Sequence, residues 1–219
     1  MTASPSPAIS PSPSPSPGGP ASQAAGSPEP GLISLPEAAA RLRADHDLLL
    51  TRVTGLTGDE LAASCRLDSG PLGDFCDSLH DLVAHVLMWD EISLAVLTEA
   101  AAGRAHWSLD PRWETADAGR RLNRGGVEAG RHVPAALLLH RFRAAGDALA
   151  AVFGQYTERD WTAPGQAGPA ERGIGALARH VFTVPGQPAF WHAAVHLNQL
   201  PASAAAQRST TGLPDSRPR

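Results

Sequence analysis

Residues 77–91, DSLHDLVAHVLMWDE, decide the fold of this chain. Leu82, Val86 and Trp89 follow one another at steps of four and three residues, so they share one face of an α-helix. No proline or glycine interrupts the sequence from there until Gly103. The pattern predicts a long helix that ends at this glycine.

The same helical spacing recurs before and after this segment. Residues 34–37 have the form of a capping box with proline in the first turn, and an apolar stripe follows them. Pro134 opens another stripe, and two prolines at 185 and 188 divide a last helical region that begins near Glu171. The sequence therefore predicts four helices, over about residues 35–56, 72–102, 134–156 and 188–200.

Two further features complete the predicted fold. Residues 104–132 are rich in arginine and glycine and keep no sustained period, which predicts a long connection. Runs of the β-branched residues that strands prefer are nearly absent. We therefore expect an all-α fold, a four-helix bundle with a long connection between helices 2 and 3.

Two parts of the chain resemble each other at an offset of about one hundred residues. Residues 47–61 end in TGDEL, and residues 147–161 end in TERDW, so both share a threonine, an acidic residue three positions later and an apolar residue after it. This repeat indicates that the first and third helices occupy equivalent places, with the second and fourth helices following them and facing each other.

The composition separates a folded domain from its two ends. Residues 1–31 consist mainly of Ser, Pro, Ala and Gly with one charged side chain, Glu29, and such a segment cannot bury enough apolar surface to offset its ordering entropy. Residues 202–219 look similar. We expect disordered tails at both ends and a folded domain over residues 32–201.

Charge and cysteine content limit the partners and the location. The net charge of -4 and the pI near 6.1 offer no broad basic field, so we expect no nucleic-acid partner and no anionic membrane surface. The sequence has no apolar run long enough for a bilayer and no export signal, and Cys65 and Cys76 form no CxxC pair, which favours the cytoplasm. A small-molecule substrate is the remaining partner class, and a homodimer stays open.

The segment FWHAAVHLNQL, residues 190–200, carries two histidines four residues apart. His192, His196 and Gln199 fall on one helical stripe, and imidazoles at this spacing can reach one metal ion from adjacent turns. Histidine pairs at this spacing also occur as hydrogen-bonded or partly exposed side chains. A structural role is therefore the alternative.

His85 adds a candidate third nitrogen on the second predicted helix. It shares the apolar face of Leu82 and Trp89, and a polar ring that points into a bundle needs a partner. If the second and fourth helices pack side by side, His85 meets the other two histidines. Asp81, one turn earlier, can orient the imidazole of His85, although we favour an exposed position for it.

The sequence resembles the DinB-like four-helix-bundle superfamily, which includes the mycothiol-dependent maleylpyruvate isomerase N-terminal domain. The resemblance rests on residues 77–91, with a small residue before His and a following Trp-acid pair, and on HAAVHLNQ at 192–199. It implies a divalent metal ion, zinc first, held by His85, His192 and His196 with an open coordination position.

The resemblance further implies a metal-dependent thiol S-transferase that acts on an electrophilic small molecule in detoxification or specialised metabolism, with mycothiol as the co-substrate. The sequence assigns no catalytic residue. Arg120, Arg121 and Asn123 are candidates to contact the thiol, and solvated loop positions are the alternative for them.

Two alternative functions remain. The Trp89-Asp-Glu and Arg121-Leu-Asn123 elements resemble the ClbS/DfsB-like group of the same superfamily, which implies hydrolysis of a reactive natural product and self-protection of its producer. The other alternative is a non-catalytic bundle that binds a small molecule, because one fold hosts several activities.

Overall fold

The computed structural model describes residues 31–65, 72–163 and 172–200. In these ranges the chain forms α-helices and two 3-10 turns, with no β-strand, which confirms the all-α prediction. The α-helices are α1 (Leu35–Val53), α2 (Gly58–Ala62), α3 (Leu79–Ala101), α4 (Ala116–Gly130), α5 (Ala135–Phe153), α6 (Glu158–Thr162), α7 (Ile174–Val181) and α8 (His192–Leu197). The predicted disordered tails, apart from Gly31, and the predicted helix start at Glu171 lie outside the described residues.

The central helix of the bundle is α3, which packs against α4, α5 and α7. All of residues 79–87 are buried, so the first half of α3 contacts neighbours on every side. The helix begins seven residues later than predicted because Ser78 caps it: the Ser78 hydroxyl accepts the backbone N–H of Asp81 at 3.1 Å. Its predicted end before Gly103 agrees closely with the structure.

The connection between α3 and α5 differs from the prediction, because residues 104–132 contain the helix α4 and both 3-10 turns. The glycines of this segment led to the prediction of an irregular connection. In the structure they allow α4 to approach α3 closely. A methyl group at Gly130 would overlap the Cβ of Ala84, and one at Gly126 would overlap the thioether of Met88. Glycine here is a packing residue, although its low helix propensity is typical of a loop.

The predicted repeat is present in the structure. Thr57 and Glu60 form a capping box at the start of α2, and Thr157 and Asp160 form an equivalent one at the start of α6. Each box is followed by a buried side chain, Leu61 or Trp161. In both halves, a long helix is therefore followed by a short capped helix that closes over the core.

The last predicted helix is shorter than expected. α7 ends at Val181, and α8 begins only at His192 because Phe190 has a φ of 64°, outside the helical region. The backbone N–H of Phe190 donates to the carbonyl of Phe182 at 2.8 Å, which folds the intervening loop back on α7. This loop brings α8 against α1 and α3.

None of the described helices has the combination of length and apolarity that a bilayer crossing requires.

Candidate metal centre

The structure brings the three predicted histidines together. His85 lies in the buried half of α3, His192 is the first residue of α8, and His196 lies one turn later. The three ring centroids are 4.9 to 5.0 Å apart, and the rings meet edge to face at 65° to 79°. One ring nitrogen from each of the three histidines lies within 4.8 Å of the other two, which is close enough for them to share a metal ion.

The separations fit a small divalent ion. Zinc–nitrogen bonds of about 2.0–2.1 Å in tetrahedral geometry place two ligand nitrogens about 3.3 Å apart. The Nε2 atoms of His85 and His192 are 3.0 Å apart, and no two ligand nitrogens of the three histidines are more than 4.8 Å apart. The required separation of about 3.3 Å lies between these two distances. Three protein nitrogens leave a fourth position for water or substrate, as in catalytic zinc sites.

All three imidazoles are held in the neutral form that a metal ion needs. Burial lowers the pKa of His85 well below its usual value, and the adjacent His192 and His196 lower it further. Burial, with smaller effects from His196 and His46, lowers the pKa of His192 to about 3. Burial also lowers the pKa of His196, although Gln199 opposes this effect. The cluster therefore presents lone pairs at neutral pH.

Hydrogen bonds define the free nitrogen of His196. Its Nδ1–H donates to the side-chain carbonyl of Gln199 at 2.9 Å, which fixes the tautomer and leaves the lone pair on Nε2. Nδ1 of His85 is buried and has no hydrogen-bond partner among the described residues. The only side-chain hydrogen-bond contact of His85 among the described residues is therefore the 3.0 Å contact of its Nε2 with His192, and Nδ1 bears the cost of burial without an offsetting bond.

Asp81 has neither of the roles considered for it. It is buried, with 3% of its surface exposed, so the favoured exposed position is wrong. Its two carboxylate oxygens accept hydrogen bonds from the guanidinium of Arg131 at 2.8 and 3.0 Å, and one also accepts the backbone N–H of Asp77. Asp81 thus ties α3 to the end of α4.

The carboxylate that does reach the helix of His192 and His196 is Asp45 of α1, which the sequence analysis missed. Its Oδ2 and Oδ1 accept the backbone N–H groups of Ala193 and Ala194 at 2.8 and 2.7 Å. A signal was present, because Asp45 lies three residues after Leu42 and four before Leu49, on the apolar stripe of α1.

A cavity of about 750 Å³ opens onto the three histidines. It lies between α3, α4, α7 and the loop after α7, and its volume is within the usual range for small-molecule sites. Its apolar wall comes mainly from Trp89, Ile92, Leu109, Trp113 and Phe182. This arrangement can hold an apolar ligand beside the imidazoles.

The three candidates for thiol contact occupy different positions around this cavity. Arg120 and Asn123 line it, whereas Arg121 does not. Arg120 pairs with Asp74 and Arg121 with Asp117, and the amide oxygen of Asn123 accepts the indole N–H of Trp89 at 2.7 Å. All three lie on α4, so their predicted location in an irregular loop is wrong.

Two solved structures are similar to this chain. A crystal structure of the colibactin self-resistance protein ClbS in complex with dsDNA has a TM-score of 0.56 at 18% identity, covering 76% of this chain and 94% of that one. An uncharacterised protein from Escherichia coli UTI89 has a TM-score of 0.58 at 11% identity, covering 76% and 90%. No protein-family model and no curated protein matches the sequence.

The ClbS complex corrects one expectation. The net charge of -4 led us to exclude nucleic acid as a partner, and that exclusion is wrong, because a protein of this fold has been crystallised with duplex DNA. Net charge sums the whole chain, whereas binding to phosphates depends on the local arrangement of cations. On α4, Arg120, Arg121 and Arg124 lie within five residues of one another.

The resemblance to the DinB-like superfamily stays a prediction from two motifs. At the level of the fold, the chain is an all-helical protein of the kind seen in the ClbS structure.

Proposed function

We propose that the protein inactivates a reactive, electrophilic small molecule in a detoxification or self-protection role, at a divalent metal ion held by His85, His192 and His196. The observation that carries this proposal is the convergence of three neutral imidazoles at the floor of a cavity of about 750 Å³. The fold shared with a colibactin self-resistance protein supports the protective role. Zinc is the first choice of metal because catalytic zinc sites use three protein ligands with an open position, and nickel, iron and manganese are the alternatives because nitrogen ligands discriminate weakly among divalent ions.

The residues of the chain divide the work. A bound divalent ion lowers the pKa of a water or thiol that reaches it, and so supplies a nucleophile at neutral pH. His85, His192 and His196 provide uncharged donors, and Gln199 fixes the tautomer of His196. The aromatic wall of the cavity binds and orients the substrate by its apolar surface.

Water is the favoured nucleophile, which makes the protein a hydrolase of the ClbS/DfsB-like kind. The polar groups that would recognise a thiol co-substrate already have partners within the chain: Arg120 has Asp74, Arg121 has Asp117, and Asn123 has Trp89. A mycothiol-dependent S-transferase is the second candidate. The observation that favours it is the cavity volume, which accommodates a thiol beside a small substrate.

Metal analysis of the purified protein tests the site. We expect a near-stoichiometric divalent metal in the wild type, its loss in His192→Ala, and its retention in the control His140→Ala, because His140 is an exposed residue of α5. The wild type is then incubated with an aryl epoxide, with and without mycothiol. Turnover without thiol supports the hydrolase, and thiol-dependent turnover supports the transferase. A protein that has neither bound metal nor turnover contradicts both.

The ClbS complex also makes duplex DNA a candidate ligand of this chain. Arg112 and Arg121 have exposed side chains, at 72% and 69%, and both are paired with aspartates. Phosphates would have to displace those aspartates, so we expect weak binding that falls steeply with salt. Titration of a fluorescent duplex at two salt concentrations, with Arg121→Glu beside Arg43→Glu on α1, tests this function.

A further inference from the structure

The helix that carries two of the three histidines has little stability of its own. α8 contains six residues, far fewer than an isolated helix needs, and its first backbone N–H groups have no partner inside the helix. Trp191, at the N-cap position, gives no side-chain hydrogen bond. The preceding residue, Phe190, has a positive φ, which bulky side chains rarely adopt. Something outside α8 must therefore hold it.

Asp45 of α1 supplies what α8 lacks. Each of its carboxylate oxygens accepts one backbone N–H of the first turn, from Ala193 at 2.8 Å and from Ala194 at 2.7 Å. Asp45 is 2% exposed, so solvent hardly competes for these bonds. Its negative charge also interacts favourably with the positive, N-terminal end of the α8 helix dipole. Because two oxygens hold two adjacent N–H groups, the carboxylate fixes the rotation of α8 as well as its position.

The residue next to Asp45 ties the same turn of α1 to α3. His46 forms an ion pair with Asp90 of α3, with its Nε2 3.0 Å from Oδ2, and both side chains are buried. Asp90 lies five residues after His85 on the same helix. One turn of α1 is thus connected both to the helix of His85 and to the helix of His192 and His196.

We propose that Asp45 is the positioning residue of the centre: acting through the backbone of α8, it sets the register of His192 and His196 against His85. The part of this inference that concerns a metal ion rests on the proposed function. The part that concerns the anchoring of α8 by Asp45 does not depend on it. Asp45 contacts none of the three imidazoles through the bonds described, so its effect on a metal ion is indirect. Residues that orient metal ligands typically change metal affinity by about 10–100-fold when they are mutated.

Two variants weaken the hydrogen bonds between Asp45 and α8 to different extents. Asp45→Asn keeps the shape and one carbonyl oxygen, so it retains one acceptor, whereas Asp45→Ala retains none. The matched control is Asp47→Asn, which removes an exposed carboxylate from the same helix. Asp45→Asn is expected to remain folded and carries the test if Asp45→Ala does not.

Two measurements are made on each variant. Amide hydrogen exchange by NMR, in metal-free protein, follows Ala193 and Ala194 beside Leu82 and Val86 of α3. Titration with Co²⁺ follows affinity and the visible d–d spectrum of the bound ion. For Asp45→Ala we expect at least tenfold faster exchange in α8 alone. We also expect its Co²⁺ affinity to be weaker by about 10–100-fold and its spectrum to be altered. Asp45→Asn should lie between the wild type and Asp45→Ala in both measurements. Asp47→Asn should match the wild type in both.

The outcomes separate the two hypotheses. Unchanged exchange at Ala193 and Ala194 in Asp45→Ala overturns the inference, and so does faster exchange with unchanged Co²⁺ affinity and spectrum. If the wild type binds no Co²⁺, the proposed function fails, and faster exchange confined to α8 still supports the hold of Asp45 on that helix.

Discussion

Replacing His85 with leucine is expected to stabilise the metal-free protein while it abolishes metal binding. Nδ1 of His85 is buried without a hydrogen-bond partner among the described residues, and an unsatisfied buried polar group costs about 1–3 kcal/mol. The substitution also removes the 3.0 Å contact with His192, which contributes about 0.5–1.5 kcal/mol as an ordinary hydrogen bond. The balance is a gain of about 1 kcal/mol, which raises the Tm of a domain of this size by about 2–4 °C.

His80→Leu is the matched control on the same helix. His80 is also buried, but its Nε2–H donates to the carbonyl of Val133 at 3.0 Å. Leucine at this position loses that bond and is expected to destabilise the protein by about 0.5–1.5 kcal/mol. The measurement is thermal unfolding of the wild type and both variants, first with a chelator and then with zinc. Zinc should raise the Tm of the wild type and of His80→Leu, and leave that of His85→Leu unchanged.

The reasoning fails if His85→Leu lowers the Tm of the metal-free protein as His80→Leu does. In that case the three imidazoles are a structural cluster whose mutual contacts stabilise the bundle, and the proposed metal centre loses its main physical argument.

Three further predictions follow from the described contacts. Gly130→Ala is expected to destabilise the protein by about 1–3 kcal/mol because the new methyl group overlaps Ala84, whereas Gly125→Ala, with open space around it, should stabilise by about 0.5–1 kcal/mol in urea unfolding. Thr57→Ala and Thr157→Ala should cost similar amounts, about 0.5–2 kcal/mol each in the same assay, because the two capping boxes are equivalent; a cost at only one of them would contradict the repeat. Burial lowers the pKa of His46, but the ion pair with Asp90 outweighs it and raises the pKa above 6.5, so this stabilisation is complete below pH 6.5 and is lost as the pH rises through the raised value. Urea unfolding at pH 6 and pH 8.5 should show a larger loss in the wild type than in His46→Asn, in which only the buried carboxyls of Asp45 and Asp90, whose pKa values burial raises, still contribute.

Periodicity was sufficient to predict the helices that bury a continuous apolar face. α1, α3 and α5 lie where the spacing of apolar residues predicts them, and α3 differs mainly at its start, where the cap at Ser78 sets the boundary. α4 was missed because its glycines are needed for close approach to α3, and no local signal distinguishes that need from the conformational freedom of a loop. The partner helix is known only once the chain has folded.

The convergence of the three histidines was predictable to the same extent and for the same reason. His192 and His196 lie one turn apart, so local spacing relates them, and the apolar face of α3 indicates that His85 points inward. Asp45 acts on α8 across 148 residues of sequence. Nothing in the neighbourhood of Asp45 in the sequence identifies the amides that it binds.

A physical criterion nevertheless separates the candidate metal ligand on α3 from other histidines on buried faces. His80 donates to the carbonyl of Val133, and His46 forms an ion pair with Asp90 at 3.0 Å, so each has a partner in another part of the fold. His85 lies equally deep, and its Nδ1 has no such partner among the described residues. A buried nitrogen without a partner costs more than the one contact of its ring contributes, so the retention of His85 is explained by what the ring can bind. Of His46, His80 and His85, the last therefore has the weakest structural justification and is the best candidate for function.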